Sequence, residues 1–292
     1  MSLWDNIAAD IAAATGKQAE LSGQITTGGG CINQTMRVRY GDDSYFVKLN
    51  SASRADMFAA EALGLRELQG SHTLKVPEPV CWGDDGESAY LVLEDLELDG
   101  HGDLAALGEG LAAMHRVTRK RFGWDTDNTI GSTLQINSCE HDWVGFWRTQ
   151  RLQFQLELAA QNGHGGRLQA QGEKLLQLFP ALFADYSPLA SLLHGDLWSG
   201  NYAFTRDGLP TIFDPAVYFG DRETDLAMTE LFGGFSRDFY AAYANAWPLD
   251  SGYPLRKTLY NLYHVLNHFN LFGGGYLSQA QAMMGSLLSE VR

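Results

Sequence analysis

The sequence predicts an α+β chain of two lobes, a small β-rich N-terminal lobe over residues 1–96 and a larger, mainly helical lobe over residues 97–292. Two patterns predict it: apolar residues alternate in stretches of the first hundred positions, and after about residue 101 they recur at helical spacing. The third observation is the break between them, an extended acidic connector near residues 94–100.

Met36, Val38 and Tyr40 alternate, as do Tyr45, Val47 and Leu49, the pattern of neighbouring half-buried strands. The Gly-Asp-Asp-Ser stretch from Gly41 suits a hairpin turn between them. Residues 54–68 carry Met57, Leu63 and Leu68 among good helix formers and predict a helix, after which Pro77 and Pro79 stop regular structure. Residues 89–93 (A-Y-L-V-L) read as a short apolar strand. In the second lobe Leu104, Leu107, Leu111 and Met114 mark one helix. A long helix over 142–160 carries Trp143, Phe146, Trp147, Phe154 and Leu158. Further helices are predicted near 168–183, 222–232, 236–246, 254–271 and 277–290, with short strands at 191–193 and 211–213 between them.

Composition removes several function classes. The 292 residues include 35 acidic and 21 basic side chains, and 21 − 35 = −14 argues against a nucleic-acid groove and against an electrostatic hold on anionic lipid. No apolar run approaches the ~18 residues of a membrane span. The opening Met-Ser-Leu-Trp-Asp has neither the basic nor the apolar region of a signal peptide. Cys31, Cys81 and Cys139 are odd in number and far apart, which is neither a disulfide framework nor a zinc pattern. A cytoplasmic protein is therefore expected, as a monomer or homodimer.

The strongest chemical signal is His194-Gly195-Asp196-Leu197-Trp198-Ser199-Gly200-Asn201, which fits the H-x-D-L-x-x-x-N pattern of a kinase catalytic loop. Asp214 follows thirteen residues after Asn201 (214 − 201), at the end of an apolar Thr-Ile-Phe strand. A hydroxyl attacking a γ-phosphate needs a carboxylate to orient it and take its proton, the role read for Asp196. The phosphates of ATP need Mg²⁺, a hard cation that Asn201 and Asp214 would hold through oxygen. Taken alone, the octapeptide could instead be a polar turn between two strands, the less favoured of the two readings. Lys48, ending the strand Ser-Tyr-Phe-Val-Lys, is the candidate for the α- and β-phosphates, and Glu61 on the next helix is its candidate partner. By itself each would pass for a surface charge; the order Lys, Glu, loop, Asp favours the site. Gly28-Gly29-Gly30 precedes a strand, so it is no Walker loop, but as a hairpin it could lay backbone N–H groups over phosphates. Glu94-Asp95-Leu96, where the chain leaves the small lobe, is the candidate adenine-binding connector.

These segments resemble the fructosamine-3-kinase/ketosamine-3-kinase family. The resemblance is carried by Gly28–Asn33, His194–Asn201, Phe213–Glu230 and Leu231–Phe235, and also by Phe122-Gly123-Trp124, Asn128–Ser132, Leu266-Asn267-His268 and Leu271–Tyr276. It implies a bilobal protein-kinase-like fold of the aminoglycoside phosphotransferase type. It also implies ATP-dependent phosphorylation of the 3-hydroxyl of ketosamines, either small molecules or glycated proteins, after which the adduct decays and frees the amine. The residue roles it implies coincide with those above: Asp196 as proton acceptor, Asn201 and Asp214 as metal ligands, Lys48 on the phosphates. Pro215-Ala216 after Asp214 does not imply a protein-kinase activation loop. At Tyr218-Phe219-Gly220-Asp221-Arg222 the family is expected to carry His where Asp221 stands. Trp198 offers a flat face to a sugar ring, with Asp225, Asn267 and His268 as further substrate candidates; Asp225 could instead brace the loop, and Trp198 and His268 could be core residues. Cys31 beside the glycine triplet is a candidate redox site. The alternative reading is a kinase for another hydroxylated amine, of the aminoglycoside or choline type, and the non-enzymatic one is a pseudokinase scaffold.

Asp196→Asn separates enzyme from scaffold. It is expected to lower ATP-dependent turnover by ~10²–10⁴-fold, the usual contribution of a positioned base, as measured by coupled ADP release. Full retention of turnover would remove Asp196 from catalysis.

Overall fold

The computed structural model describes residues 2–27 and 32–291, so the predicted sites Gly28, Gly29, Gly30 and Cys31 lie outside the described residues. The chain is an α+β protein that divides into two compact units, Met1–Asp103 with Tyr202–Pro215, and Leu104–Asn201 with Ala216–Arg292.

In the first unit, strands β1 (Leu21–Thr27), β2 (Gln34–Tyr40), β3 (Asp43–Ser51), β4 (Pro79–Asp84) and β5 (Ser88–Glu94) form an antiparallel sheet in the order β1-β2-β3-β5-β4. Tyr40 pairs with Asp43, so the β2–β3 turn is the two residues Gly41-Asp42. The predicted alternation holds: Val38, Tyr40, Tyr45, Val47 and Leu49 pack in one cluster with Ile7 and Ile11. Those two isoleucines belong to a helix the sequence reading assigned to no element, α1 (Leu3–Thr15). Its signals are Leu3, Ile7 and Ile11 at four-residue spacing and a capping box closed by Ser2 and Asp5. By the two-residue period of a strand, Lys48 lies on the opposite face of β3, toward α2 (Ala55–Gln69). The segment 202–215 returns to this unit as a hairpin of Tyr202–Phe204 with Pro210–Ile212. It is stitched on at Lys75, whose N–H donates to the Pro210 carbonyl at 3.2 Å while its own carbonyl accepts from Ile212 at 3.0 Å.

The second unit is mainly helical: α3 (Leu104–His115), α4 (Trp143–Trp147), α5 (Phe154–Gln161), α6 (Arg167–Leu178), α7 (Glu223–Leu231), α8 (Arg237–Ala246), α9 (Tyr253–Phe272) and α10 (Tyr276–Glu290). The helix predicted over 142–160 is broken into α4 and α5 by a wide π turn at Arg148–Gln153. That turn carries the buried guanidinium of Arg151 to the Ile136 carbonyl and the Asn137 amide oxygen, over the ring of Tyr218. The helix predicted to 183 ends at Leu178, because Pro180 allows only a 3₁₀ turn beyond it. A small sheet sets Ala190–Leu193 between Thr118–Arg119 and Tyr218–Gly220. Asp221, the departure from the family pattern, is fully buried. Its carboxylate accepts from Tyr186, Tyr260 and the Glu223 N–H, fixing the start of α7 from three sides. Among the described residues no helix is long and apolar enough to cross a membrane.

Helices α3 and α8 meet at Gly108, where a Cβ would stand 2.3 Å from the Phe239 carbonyl oxygen, a backbone atom that cannot rotate away. Gly108→Ala is therefore expected to lower stability by about 1–3 kcal/mol in urea unfolding, although alanine is the better helix former. An unchanged midpoint would mean that the two helices separate without cost.

Candidate active site

Two clusters, one in each unit, gather the residues singled out above. In the first unit Lys48 stands at the middle of β3, almost wholly buried, and its Nζ lies 2.5 Å from Glu61 Oε1 on α2 and 2.5 Å from Asp214 Oδ1 on the returning segment. Burial alone would depress this ammonium, but the charges of Asp214 and Glu61 outweigh it and hold Lys48 above its ordinary value, so it is a fixed cation. Burial holds the Glu61 carboxyl above its ordinary range, against the lowering charge of Lys48. Asp214 adopts φ 56°, a left-handed conformation rare for a residue with a side chain, and its carboxylate is about half exposed.

At the end of the same sheet, both Glu94 oxygens accept from Lys75 at 2.9 Å and its N–H donates to the Glu78 carbonyl. The Asp95 carboxylate accepts from Ser44 at 2.5 Å and pairs with Arg37 at 2.6 Å. The side chains of this connector thus hold the sheet edge together, which leaves backbone groups of Asp95 and Leu96 as its candidates for a planar base.

In the second unit the octapeptide leaves the Ala190–Leu193 strand as a tight loop. Gly195 has φ 83°, and a Cβ there would fall 2.0 Å from the Ala216 carbonyl oxygen, so only glycine fits. Asp225 on α7 is buried and accepts from the His194 N–H at 2.7 Å and the Gly195 N–H at 2.8 Å. Its second oxygen also meets His115 Nε2 at 3.1 Å. Burial would raise this carboxyl, but hydrogen bonding and charge from His115, with His194 and the Gly195 N–H, hold it below its ordinary value. The geometry is that of a brace beneath the loop. Above it the Asn201 amide donates to the Asp196 carbonyl at 2.8 Å, which turns its oxygen, a hard donor, away from that bond. Asp196 itself is partly exposed.

The substrate candidates separate. Trp198 is 40% exposed rather than part of the core, and its indole covers Gly200, where a Cβ would touch the ring at 2.3 Å. Asn267 is buried, donating to the Ile130 carbonyl and accepting from Gln155, which ties α9 to its neighbours. His268 is half-buried and stacks with Phe232, Phe272 and Tyr276, with Nδ1 2.8 Å from the His264 carbonyl. Sequence reasoning passed over His115, Arg222 and Tyr243. The one available signal was a histidine at the apolar end of a helix, Leu111-Ala112-Ala113-Met114-His115.

A carboxylate and an amide oxygen are the donor chemistry that Mg²⁺ prefers. Among the described residues no group of three or more His, Cys, Asp or Glu could hold a metal by itself.

The chain matches the family model described as fructosamine kinase over residues 3–290. It is 46% identical to a protein of Synechocystis sp. named as a probable ketoamine kinase, over 98% of this chain and 97% of that one. With a chloroplastic protein-ribulosamine 3-kinase of Arabidopsis thaliana it shares 40% identity over 94% of this chain and 85% of the relative. A crystal structure from Haemophilus somnus, assigned as a fructosamine-3-kinase, superposes with a TM-score of 0.90 at 28% identity, covering 98% of this chain and 97% of that one. An aminoglycoside phosphotransferase structure shares the fold at a TM-score of 0.63 and 17% identity, covering 97% and 98%.

Lys48→Met would leave Glu61 buried without its cation, and a buried pair broken from one side costs about 3–5 kcal/mol. The double variant Lys48→Met/Glu61→Leu is expected to recover much of that loss in denaturant unfolding. Simple additivity would show that the pair does not couple.

Proposed function

The chain belongs to the fructosamine kinase family and is a phosphotransferase acting on a hydroxyl group, and on that premise we propose that it uses ATP to phosphorylate the 3-hydroxyl of ketosamines. The acceptors are fructosamine or ribulosamine adducts of amines or of protein lysines, and decay of the unstable phosphorylated adduct frees the amine and completes repair. The observation that carries this reading is the family match over residues 3–290, within which the octapeptide His194–Asn201 stands as a braced loop with Asp196 reachable from solvent.

In this reading the Asp196 carboxylate accepts the proton of the 3-hydroxyl, and that oxygen forms its bond to the γ-phosphorus as the bond to the bridging oxygen breaks. ADP leaves with the electron pair. Lys48 pairs with the α- and β-phosphates while Glu61 keeps its ammonium in place. Because Lys48 also holds Asp214, nucleotide phosphates compete for the same cation. Asn201 and Asp214 would hold Mg²⁺, which when bound neutralises phosphate charge. Trp198 is assigned to the apolar face of the sugar ring. Asp225 is assigned to positioning, since its carboxylate is spent beneath the loop.

The deciding experiment incubates the protein with Mg²⁺-ATP and fructosyl-lysine, ribulosyl-lysine, choline and kanamycin separately, following ADP release. Turnover with one or both ketosamines and none with choline or kanamycin is expected. Turnover confined to the last two would overturn the assignment.

A further inference from the structure

We propose that His115 is a positioning residue for phosphotransfer, holding Asp225 and through it the His194–Gly195 backbone on which Asp196 stands. The inference rests on the proposed kinase reading but is argued from side chains that reading does not use.

His115 ends α3 with no solvent exposure. An apolar residue would fill such a position at no desolvation cost, whereas a buried imidazole is costly for each nitrogen left without a partner. Both nitrogens have one. Nδ1 lies 2.8 Å from the Tyr243 hydroxyl of α8, and Nε2 lies 3.1 Å from Asp225 Oδ2 of α7. The direction of the chain follows from its far end. Arg222 can only donate, and its Nη1 reaches the Tyr243 oxygen at 3.0 Å. The Tyr243 O–H is then left to donate to Nδ1, and Nε2 is the nitrogen that donates to the carboxylate. Arg222, Tyr243, His115 and Asp225 are all buried, so none of these bonds competes with water.

The Asp225 carboxylate thereby receives three donors: His115 on one oxygen, with the His194 N–H beside it, and the Gly195 N–H on the other. Two of these donors belong to the loop itself. The third comes from a different helix and keeps the carboxylate ionised and aimed. Without His115, burial would push Asp225 toward protonation, and a protonated carboxyl has an O–H where an acceptor was needed. The loop would then lose one of the two backbone bonds that set the path into Asp196.

The test compares His115→Leu, which removes the donor, with His115→Gln, whose amide N–H can take the place of Nε2–H. With a ketosamine acceptor, His115→Leu is expected to lower kcat roughly 10- to 100-fold with KM for ATP little changed, and His115→Gln to restore most of it. The acidic limb of kcat should move to higher pH in the Leu variant alone. The other titratable or charged groups around Asp225, namely His194, Tyr218, Arg222, Tyr243 and His264, are intact in both variants. Hydrogen exchange of the His194 and Gly195 amides, expected to quicken in His115→Leu, reads the brace without catalysis. It therefore still decides if wild-type protein proves inactive on ketosamines, the result that would instead sink the kinase reading. Wild-type kcat and wild-type exchange in His115→Leu, or a Gln variant no better than Leu, would overturn the proposal. If His115→Leu does not fold, Tyr243→Phe serves, with a smaller loss of kcat expected and an unchanged kcat and pH profile contradicting it.

Discussion

The first unit is organised around one buried ammonium. Lys48 sits where solvent cannot reach it, and a lone charge in such a place would cost several kcal/mol, so the fold must deliver compensation. It delivers two carboxylates from distant parts of the chain, Glu61 thirteen residues on and Asp214 far downstream. Each delivery explains an element. The central position of β3 buries the lysine, α2 brings Glu61 across its face, and the excursion of residues 202–215 into this unit exists in structural terms to bring Asp214 there. The Lys75 backbone bonds that stitch this excursion down are what keep the second carboxylate within reach.

The second unit solves the mirror problem. Asp225 is a buried anion, and it is satisfied by two backbone N–H groups and an imidazole rather than by a fixed cation. The difference has consequences. A lysine between two carboxylates is held by side chains that can rearrange, whereas a carboxylate bonded to backbone amides fixes geometry and exchanges nothing. The chain thus places its adaptable charge in the sheet of the first unit and its rigid one beneath the loop His194–Asn201.

What the sequence disclosed follows from the range of each interaction. The strand alternation around Val38 and Val47, the helix spacing of Leu107 and Leu111 and the loop His194–Asn201 are local patterns, and each appears where it was read. The meeting of Lys48 with Glu61 was legible too, because thirteen residues of strand, turn and helix leave few alternatives. Helix α1 escaped because Leu3, Ile7 and Ile11 form a thin stripe among alanines. The pairing of Lys75 with Pro210 and Ile212 left no trace, since backbone hydrogen bonds are blind to side-chain identity. Asn267 reads as a polar pocket residue in sequence, yet its amide is consumed by Ile130 and Gln155. His115 had the opposite fate: at the foot of an apolar helix it drew no reading, and only its two buried partners single it out.

The net charge of −14 acquires a different meaning in this light. Taken as a uniform shell it would repel a polyanionic nucleotide. Some of the acidity is already committed, however: Glu61 and Asp214 to Lys48, Asp95 to Arg37, Glu94 to Lys75, Glu223 to Arg256. Asp221 and Asp225 are spent on hydroxyl and backbone donors. What remains on the surface acts through solvent, where the screening length is only about 8 Å at physiological salt. Phosphate arriving at β3 would therefore meet Lys48 far more strongly than the distant surface acids.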